Sequence, residues 1–248
     1  MKKYNSLCPS IKERIYQEER LSRNPDKAVK TRLHQLYGAY IQPNSNKKAA
    51  ALIEQLNNES ITKLLKLHAS TSERLPYYGD FYNFIYSHTG TVDRILDLGC
   101  GFNPFSLPFI PHKPALYHAV DIDVHTKDIL NTFFEIIGLP KYAANEDLAT
   151  FTPPTKVDLA LMLKLFPVLE ANSSGRAYSL ANELSTTWLV VTFPTKSLGG
   201  KKKGMAINYK TSFQDAITKD ALNNFNIVAD TLIGNELIFI FKHKSGQL

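Results

Sequence analysis

The sequence predicts an α/β fold, a Rossmann-like open sheet preceded by an all-helical N-terminal domain, and three observations carry that expectation. Residues 1–90 place apolar side chains at spacings of three and four, as in Leu33, Leu36 and Tyr37 or Leu64, Leu65 and Leu67, which is the period of amphipathic helices. From residue 91 the pattern changes to short, nearly continuous apolar runs, the mark of strands in a parallel sheet buried on both faces. The last two runs are separated only by Gly234-Asn235, a turn pair that makes them a hairpin.

Helices are expected over about 8–22, 26–40, 44–57, 60–68 and 72–88. Asn24-Pro25 and Pro43-Asn44 separate the first three, because proline suits a first helical turn and not a helix interior. Ser70-x-x-Glu73 matches a capping box and predicts a helix start there. Strands are expected at 94–98, 117–121, 157–163, 187–193, 227–233 and 236–242, with a poorly marked one before Asn145. This divides the chain into a helical domain, 1–90, and a sheet domain, 91–248.

The 248 residues are 44% hydrophobic and 21% charged, which excludes a disordered or fibrous chain. No stretch approaches the roughly 18 apolar residues of a membrane span. Met1-Lys2-Lys3-Tyr4-Asn5-Ser6 lacks the apolar run of a secretory signal, so a cytoplasmic location is expected. Cys8 and Cys100 read as buried thiols, and no metal site is expected. Residues 1–90 hold 14 Lys or Arg against 8 Asp or Glu, and the remaining 15 of each sign cancel. The whole excess of +6 therefore lies in the helical part, which suggests an anionic partner there and chemistry in the sheet.

Arg94-Ile-Leu-Asp-Leu-Gly-Cys-Gly-Phe-Asn-Pro104 runs an apolar strand into Asp97, Gly99 and Gly101. Glycine lets a backbone turn tightly enough for a ligand to approach. Pro104 stands where a dinucleotide fingerprint needs its third glycine, so a nicotinamide or flavin site fits poorly. The stretch resembles the opening motif of S-adenosylmethionine-dependent methyltransferases, which commonly carry a glycine at the position of Asn103. Asn is the substitute that best tolerates the left-handed region. Asp121, 20 residues after Gly101, suits the ribose hydroxyls, with Asp123 as fallback. Asp147 is placed to accept from an adenine amino group while Leu148 packs on the base. Leu163, Lys164 and Leu165 end the fourth strand beside the methyl, and an ammonium after so apolar a run needs a carboxylate, a phosphate or water. Arg74 can aim its fork at the methionine carboxylate. His68, Ser70, Cys100 and Ile122 complete the expected cofactor-lining set, His68 more as a structural than a catalytic group.

The acceptor atom is constrained by absences. An exocyclic-amine enzyme generally carries Asp/Asn-Pro-Pro-Tyr/Phe after the fourth strand, where this chain has Leu163-Lys-Leu-Phe-Pro167. Pyrimidine carbon chemistry needs a cysteine nucleophile, and neither Cys8 nor Cys100 is placed for it. A ring nitrogen with a free lone pair needs positioning and no base. After the fifth strand, Phe193-Pro-Thr-Lys-Ser-Leu-Gly-Gly-Lys-Lys-Lys-Gly-Met205 supplies Lys196, Lys201, Lys202 and Lys203, and residues 184–214 contain five lysines and no acid. That composition suits phosphate contacts, with Met205 packing on a flipped base.

Thr31-Arg-Leu-His-Gln-Leu-Tyr-Gly-Ala-Tyr40, Leu67-His-Ala-Ser-Thr-Ser-Glu-Arg74, Ile95-Leu-Asp-Leu-Gly-Cys-Gly-Phe-Asn-Pro104, Leu163-Lys-Leu-Phe-Pro-Val-Leu169, Phe193-Pro-Thr-Lys-Ser-Leu-Gly-Gly200 and Ile233-Gly-Asn-Glu-Leu-Ile238 together resemble the aminoglycoside-resistance 16S rRNA guanine-N7 methyltransferases. The resemblance covers nearly the whole chain, and Asn103 matches it too. It implies methylation of guanine 1405 in the assembled 30S subunit and resistance to kanamycin- and gentamicin-type drugs. It also implies S-adenosylmethionine as cofactor, a helical region that docks on rRNA, and a monomer. Carried over residue by residue, Arg74, Gly99, Gly101, Asp121 and Asp147 bind the cofactor. Lys164, Lys196, Lys201 and Met205 hold the target region, with Lys164 and Met205 as the expected catalytic pair; beside the resemblance, Arg32, Lys202 and Lys203 are also expected to bind RNA. Adenine N1 methylation at the same drug site, a small-molecule methyltransferase and a non-catalytic rRNA-binding factor are the rival readings.

Overall fold

The computed structural model describes residues 4–38, 40, 44–153, 156–195, 211, 213 and 221–245. Among these residues seven strands form one sheet: β1 (Arg94–Leu98), β2 (Leu116–Asp121), β3 (Ala143–Asn145), β4 (Val157–Leu163), β5 (Thr186–Pro194), β6 (Phe225–Ile233) and β7 (Glu236–His243), in the order β3-β2-β1-β4-β5-β7-β6. β1 to β5 pair in parallel, and β7 pairs antiparallel with both β5 and β6, so the hairpin read from Gly234-Asn235 is present. The strand order reverses at β1 and β4, and a crevice opens there at the carboxyl ends of the strands.

Among the described residues six α-helices precede the sheet: α1 (Pro9–Glu19), α2 (Pro25–Leu33), α3 (Ser45–Ile53), α4 (Asn58–Lys66), α5 (Ala69–Arg74) and α6 (Tyr78–Thr89). Three more, α7 (Val124–Ile136), α8 (Phe166–Asn172) and α9 (Arg176–Glu183), lie between strands. Asn24 caps α2 by accepting from Lys27 N, with Pro25 in the first turn as expected. The helix expected over 72–88 is two helices joined by a 3₁₀ turn, Leu75–Tyr77, at Pro76, which has no N–H to continue the ladder. The expected cap at Ser70 is not formed either. α5 starts at Ala69 with no side-chain cap, and the capping box belongs to α4, where Asn57 and Ser60 exchange bonds of 2.8 and 2.9 Å. Glu73 is thereby left for a partner outside its helix.

The change at residue 90 is one of secondary structure and not a gap in packing. Ile53, Leu64, Phe81 and Ile85 share one buried cluster with Ile95, Tyr117, Leu161 and Ile240 of the sheet. Leu7, Ile11, Ile15, Val29 and Leu33 form a smaller core of their own. The hairpin shows how tightly the parts join: Gly234 has φ +57°, and a Cβ there would lie 2.4 Å from the Tyr77 ring. Gly234→Ala is expected to cost about 2 kcal/mol or more, from left-handed strain and overpacking together. A urea midpoint equal to the parent's would show that Tyr77 can give way.

Candidate cofactor and substrate site

The crevice is a cleft, and every residue expected to line the cofactor borders it: His68, Ser70, Arg74, Gly99, Cys100, Gly101, Asp121, Ile122, Asp147, Leu148 and Leu163. Lys164 borders it as well. Strand β1 delivers Gly99 (φ +64°) and Gly101 (φ +48°), backbone angles that glycine adopts without strain. A Cβ on Gly99 would meet Leu165 at 2.8 Å and one on Gly101 would meet His68 Nε2 at 2.8 Å, so the turn is a cradle that side chains would fill. The His68 Nδ1 atom is buried with no hydrogen-bond partner among the described residues. Burial, with Arg74 and Lys164 nearby, pushes its pKa down to about 4, so the ring is neutral at physiological pH. It packs between Tyr40 and Phe102, with centroids 6.2 and 5.9 Å away, which suits a wall residue and not a proton carrier.

The two acids at the end of β2 have separate duties. Asp121 accepts from Gly101 N at 2.8 Å and Asp123 N at 3.0 Å, holding a carboxylate at the edge of the cleft. Burial pushes its pKa up to about 6, against the lowering effect of those N–H groups. Asp123, the fallback, is a helix cap. It accepts from Thr126 N at 2.9 Å, and from Asn46, Ser6 and Tyr37, with no exposed surface left.

Asp147 meets a partner that local pattern did not indicate. Arg14 of α1 grips it through Nε at 2.8 Å and Nη2 at 3.2 Å, bringing the first helix over the cleft. Backbone bonds from Cys8 N to Ile122 O and from Val124 N to Ser6 O fasten the start of the chain beside β2. The helical region thus supplies a wall of the cleft.

Arg74 departs from its expected orientation. Its Nε and Nη2 fork grips Glu236 at 3.0 and 2.6 Å, while Nη1 donates to Asn103 Oδ1 at 3.2 Å. The guanidinium also lies 4.9 Å from the centre of the Phe81 ring. Asn103 explains itself here: it takes no left-handed angle, and its amide bridges Arg74 and Tyr78 to Asp97, which it meets at 2.9 Å. Lys164 does take a left-handed angle, at φ +56°. Its backbone N donates to both Thr192 O and Thr192 Oγ1, a sparsely populated conformation fixed by its neighbours. The ammonium lies 2.7 Å from Glu73 and 3.6 Å from Glu236, so a pair of carboxylates, not a phosphate, satisfies it.

Arg32 is engaged within the chain, with Glu18, Glu19 and the Asn172 carbonyl. Lys196, Lys201, Lys202, Lys203 and Met205 lie outside the described residues. Glu236, Arg14 and Glu73 were missed from sequence. An acid placed directly after the Gly234-Asn235 turn and followed by Leu-Ile-Phe-Ile-Phe was the available signal for Glu236. Among the described residues no cluster of three or more His, Cys, Asp or Glu is arranged to hold a metal, and no helix is long and apolar enough to cross a membrane.

Residues 1–240 match the family model described as ribosomal RNA methyltransferase (FmrO). A 16S rRNA (guanine(1405)-N(7))-methyltransferase of Serratia marcescens is 37% identical over 247 residues, covering 97% of this chain and 94% of that protein. The crystal structure of the 16S rRNA methyltransferase RmtF in complex with S-adenosyl-L-homocysteine superposes with a TM-score of 0.87 at 31% identity, over 97% of this chain and 93% of the other. An rRNA methylase from Escherichia coli gives 0.84 at 34% identity, over 98% and 95%.

Proposed function

The chain belongs to the FmrO family of ribosomal RNA methyltransferases, which makes it an S-adenosylmethionine-dependent enzyme, and we propose that it methylates N7 of guanine 1405 of 16S rRNA in the assembled 30S subunit. The observation that carries this reading is the match, over nearly the full length of both proteins, to an enzyme named for that reaction. The consequence for the cell is protection of the ribosome from aminoglycosides. The enzyme acts as a monomer in the cytoplasm, on a partner that the basic helical region attracts.

S-adenosylmethionine fits the cleft: Gly99 and Gly101 leave room against Leu165 and His68, and Asp121 offers a carboxylate at the strand end. Bound there, it supplies a methyl group on a sulfonium; the sulfur keeps the bonding electron pair, and the guanine takes the positive charge without losing a proton. The chain's own work is accordingly positioning. Asp121 accepts from the ribose hydroxyls, Leu148 packs on the adenine, and Arg14 holds Asp147 in place at that end. Two of the five guanidinium N–H donors of Arg74 remain beyond its three bonds to Glu236 and Asn103, and these would serve the methionine carboxylate. Neutral His68 excludes water from the back of the cradle.

Lys196, Lys201, Lys202 and Lys203 hold rRNA phosphates, and Met205 packs on the flipped base. Lys196→Ala or Lys201→Ala is therefore expected to weaken 30S binding and to reduce its logarithmic salt slope by about one, leaving cofactor affinity unchanged. Equal loss of both affinities in a titration series would remove these lysines from the RNA side. The reading as a whole is tested by transfer of labelled methyl to 30S subunits and to naked 16S rRNA, followed by borohydride and aniline cleavage. Cleavage at guanine 1405 in subunits is the expected result. Label without cleavage there would move the target to another atom.

A further inference from the structure

We infer that Glu73 and Lys164 read the Watson–Crick edge of the target base, with Lys164 donating to O6 and Glu73 accepting from N1–H and the 2-amino group, and so select guanine over adenine. The inference rests on the rRNA guanine-N7 reading above and deepens it.

Lys164 stands where two hollows meet. It borders the large cleft and also a narrow adjoining crevice, with room for about one water, lined by Glu73, Tyr77, Asn235 and Glu236. A base held by Lys164 and Glu73 would therefore lie against the rim of the cofactor cleft, which Lys164 lines. The two acids beside the ammonium differ sharply in surroundings. The Glu236 side chain is 6% exposed and already holds the fork of Arg74, whereas the Glu73 side chain is 41% exposed. An ion pair with one solvent-facing member contributes little to stability, so Arg74 and Glu236 explain the fold while Glu73 calls for another reason.

Its chemistry supplies one. An ammonium and a carboxylate 2.7 Å apart present a donor next to an acceptor. Guanine offers the complement in the same order, an O6 acceptor followed by the N1–H and N2–H donors. Adenine offers the reverse, an amino donor followed by the N1 acceptor, and would set donor against donor and acceptor against acceptor. With that edge held, N7 lies next to O6, beside Lys164, which borders the cofactor cleft. Methylation at N7 places positive charge on the ring and makes N1–H a stronger donor, so the bond to Glu73 tightens as the reaction proceeds. A contact that strengthens in the transition state raises the rate as well as selecting the base. It also gives a use for the left-handed backbone of Lys164, the residue directly after β4.

The test uses 30S subunits reconstituted with splint-ligated 16S rRNA carrying guanosine or inosine at the target position; inosine lacks the 2-amino group. The parent enzyme is expected to prefer guanosine by about tenfold in kcat/KM, a typical value for one bidentate contact. In Glu73→Gln the amide oxygen can still accept from N1–H, but its NH₂ opposes the 2-amino group. The preference should fall to near unity, with S-adenosylhomocysteine affinity unchanged by calorimetry. Glu73→Ala should give the same loss of preference, and its unaltered cofactor binding reports an intact fold. A parental guanosine-to-inosine ratio in both variants overturns the inference, whatever their absolute rates. A parent enzyme that labels neither substrate would instead overturn the rRNA reading on which it rests.

Discussion

Glu236→Gln is expected to lower the unfolding free energy by about 3–5 kcal/mol, the range for removing one partner of a buried ion pair. Glu236 is buried and receives Arg74 through two nitrogens, Thr192 through its hydroxyl, and Lys164 at 3.6 Å. Glutamine keeps the shape and turns one acceptor into a donor facing the guanidinium. Arg74 then stays buried with a positive charge that only dipoles oppose, and Lys164 retains Glu73 alone, at the edge of solvent. The effect should reach the cleft, because Arg74 holds Asn103, and Asn103 holds Asp97 at the end of β1. Urea unfolding followed by circular dichroism measures the loss; a change below about 1 kcal/mol would mean that water reaches Arg74 when the acid is removed.

The pH dependence of stability carries a matching signature. Burial alone would raise the pKa of Glu236, but Arg74 and Lys164 outweigh it and hold the group below the ordinary carboxylate value. The sign follows from linkage: a folded pKa below the unfolded one gives stability that is present above the unfolded pKa, near 4.3, and is lost as pH falls through the folded pKa. The parent should therefore weaken on acidification in that window, and Glu236→Gln, having lost the contribution at every pH, should weaken less.

Glu236 also marks the limit of what could be read from the chain. The sheet, its antiparallel hairpin and the position of the cleft follow from local patterns, because a strand's burial shows in its own apolar run. Asp121 was legible for the same reason, lying at a fixed distance from Gly101 along a strand and turn. The pairings that govern the charges are not local. Arg74 and Glu236 are separated by 162 positions, Arg14 and Asp147 by 133, and Glu73 and Lys164 by 91. No spacing rule connects such residues, so Arg74 was read by what a ligand could offer it and not by the acid the fold brings, and Arg14 was not singled out at all. Ser70 failed differently. A capping box needs the chain to turn at its serine, and α5 has begun one residue earlier, its start fixed by Ala69 N donating to Tyr40 O.

Asp121→Ala is expected to weaken S-adenosylhomocysteine binding by about 100-fold, since hydrogen bonds to a charged acceptor contribute about 1.5–3 kcal/mol. The same carboxylate should make the affinity of the parent depend on pH in an unusual place. Burial pushes Asp121 up to about 6, so protonation begins to remove an acceptor well above the ordinary range for aspartate. Affinity should be level above pH 7 and about tenfold lower by pH 5, one factor of ten for each unit below the pKa. A second carboxyl complicates the assignment: Asp97, at the end of β1, is also pushed up to about 6 by burial, and its Oδ1 has no partner among the described residues. Asp97 does not border the cleft, whereas Asp121 does. Asp121→Asn separates the two, because it removes the titration at the cleft and leaves Asp97 intact. Calorimetry from pH 5 to 8 should find the variant weak and flat. A variant that still loses about tenfold between pH 7 and pH 5 would assign the titration to Asp97, acting on the Gly99 to Gly101 turn through Asn103.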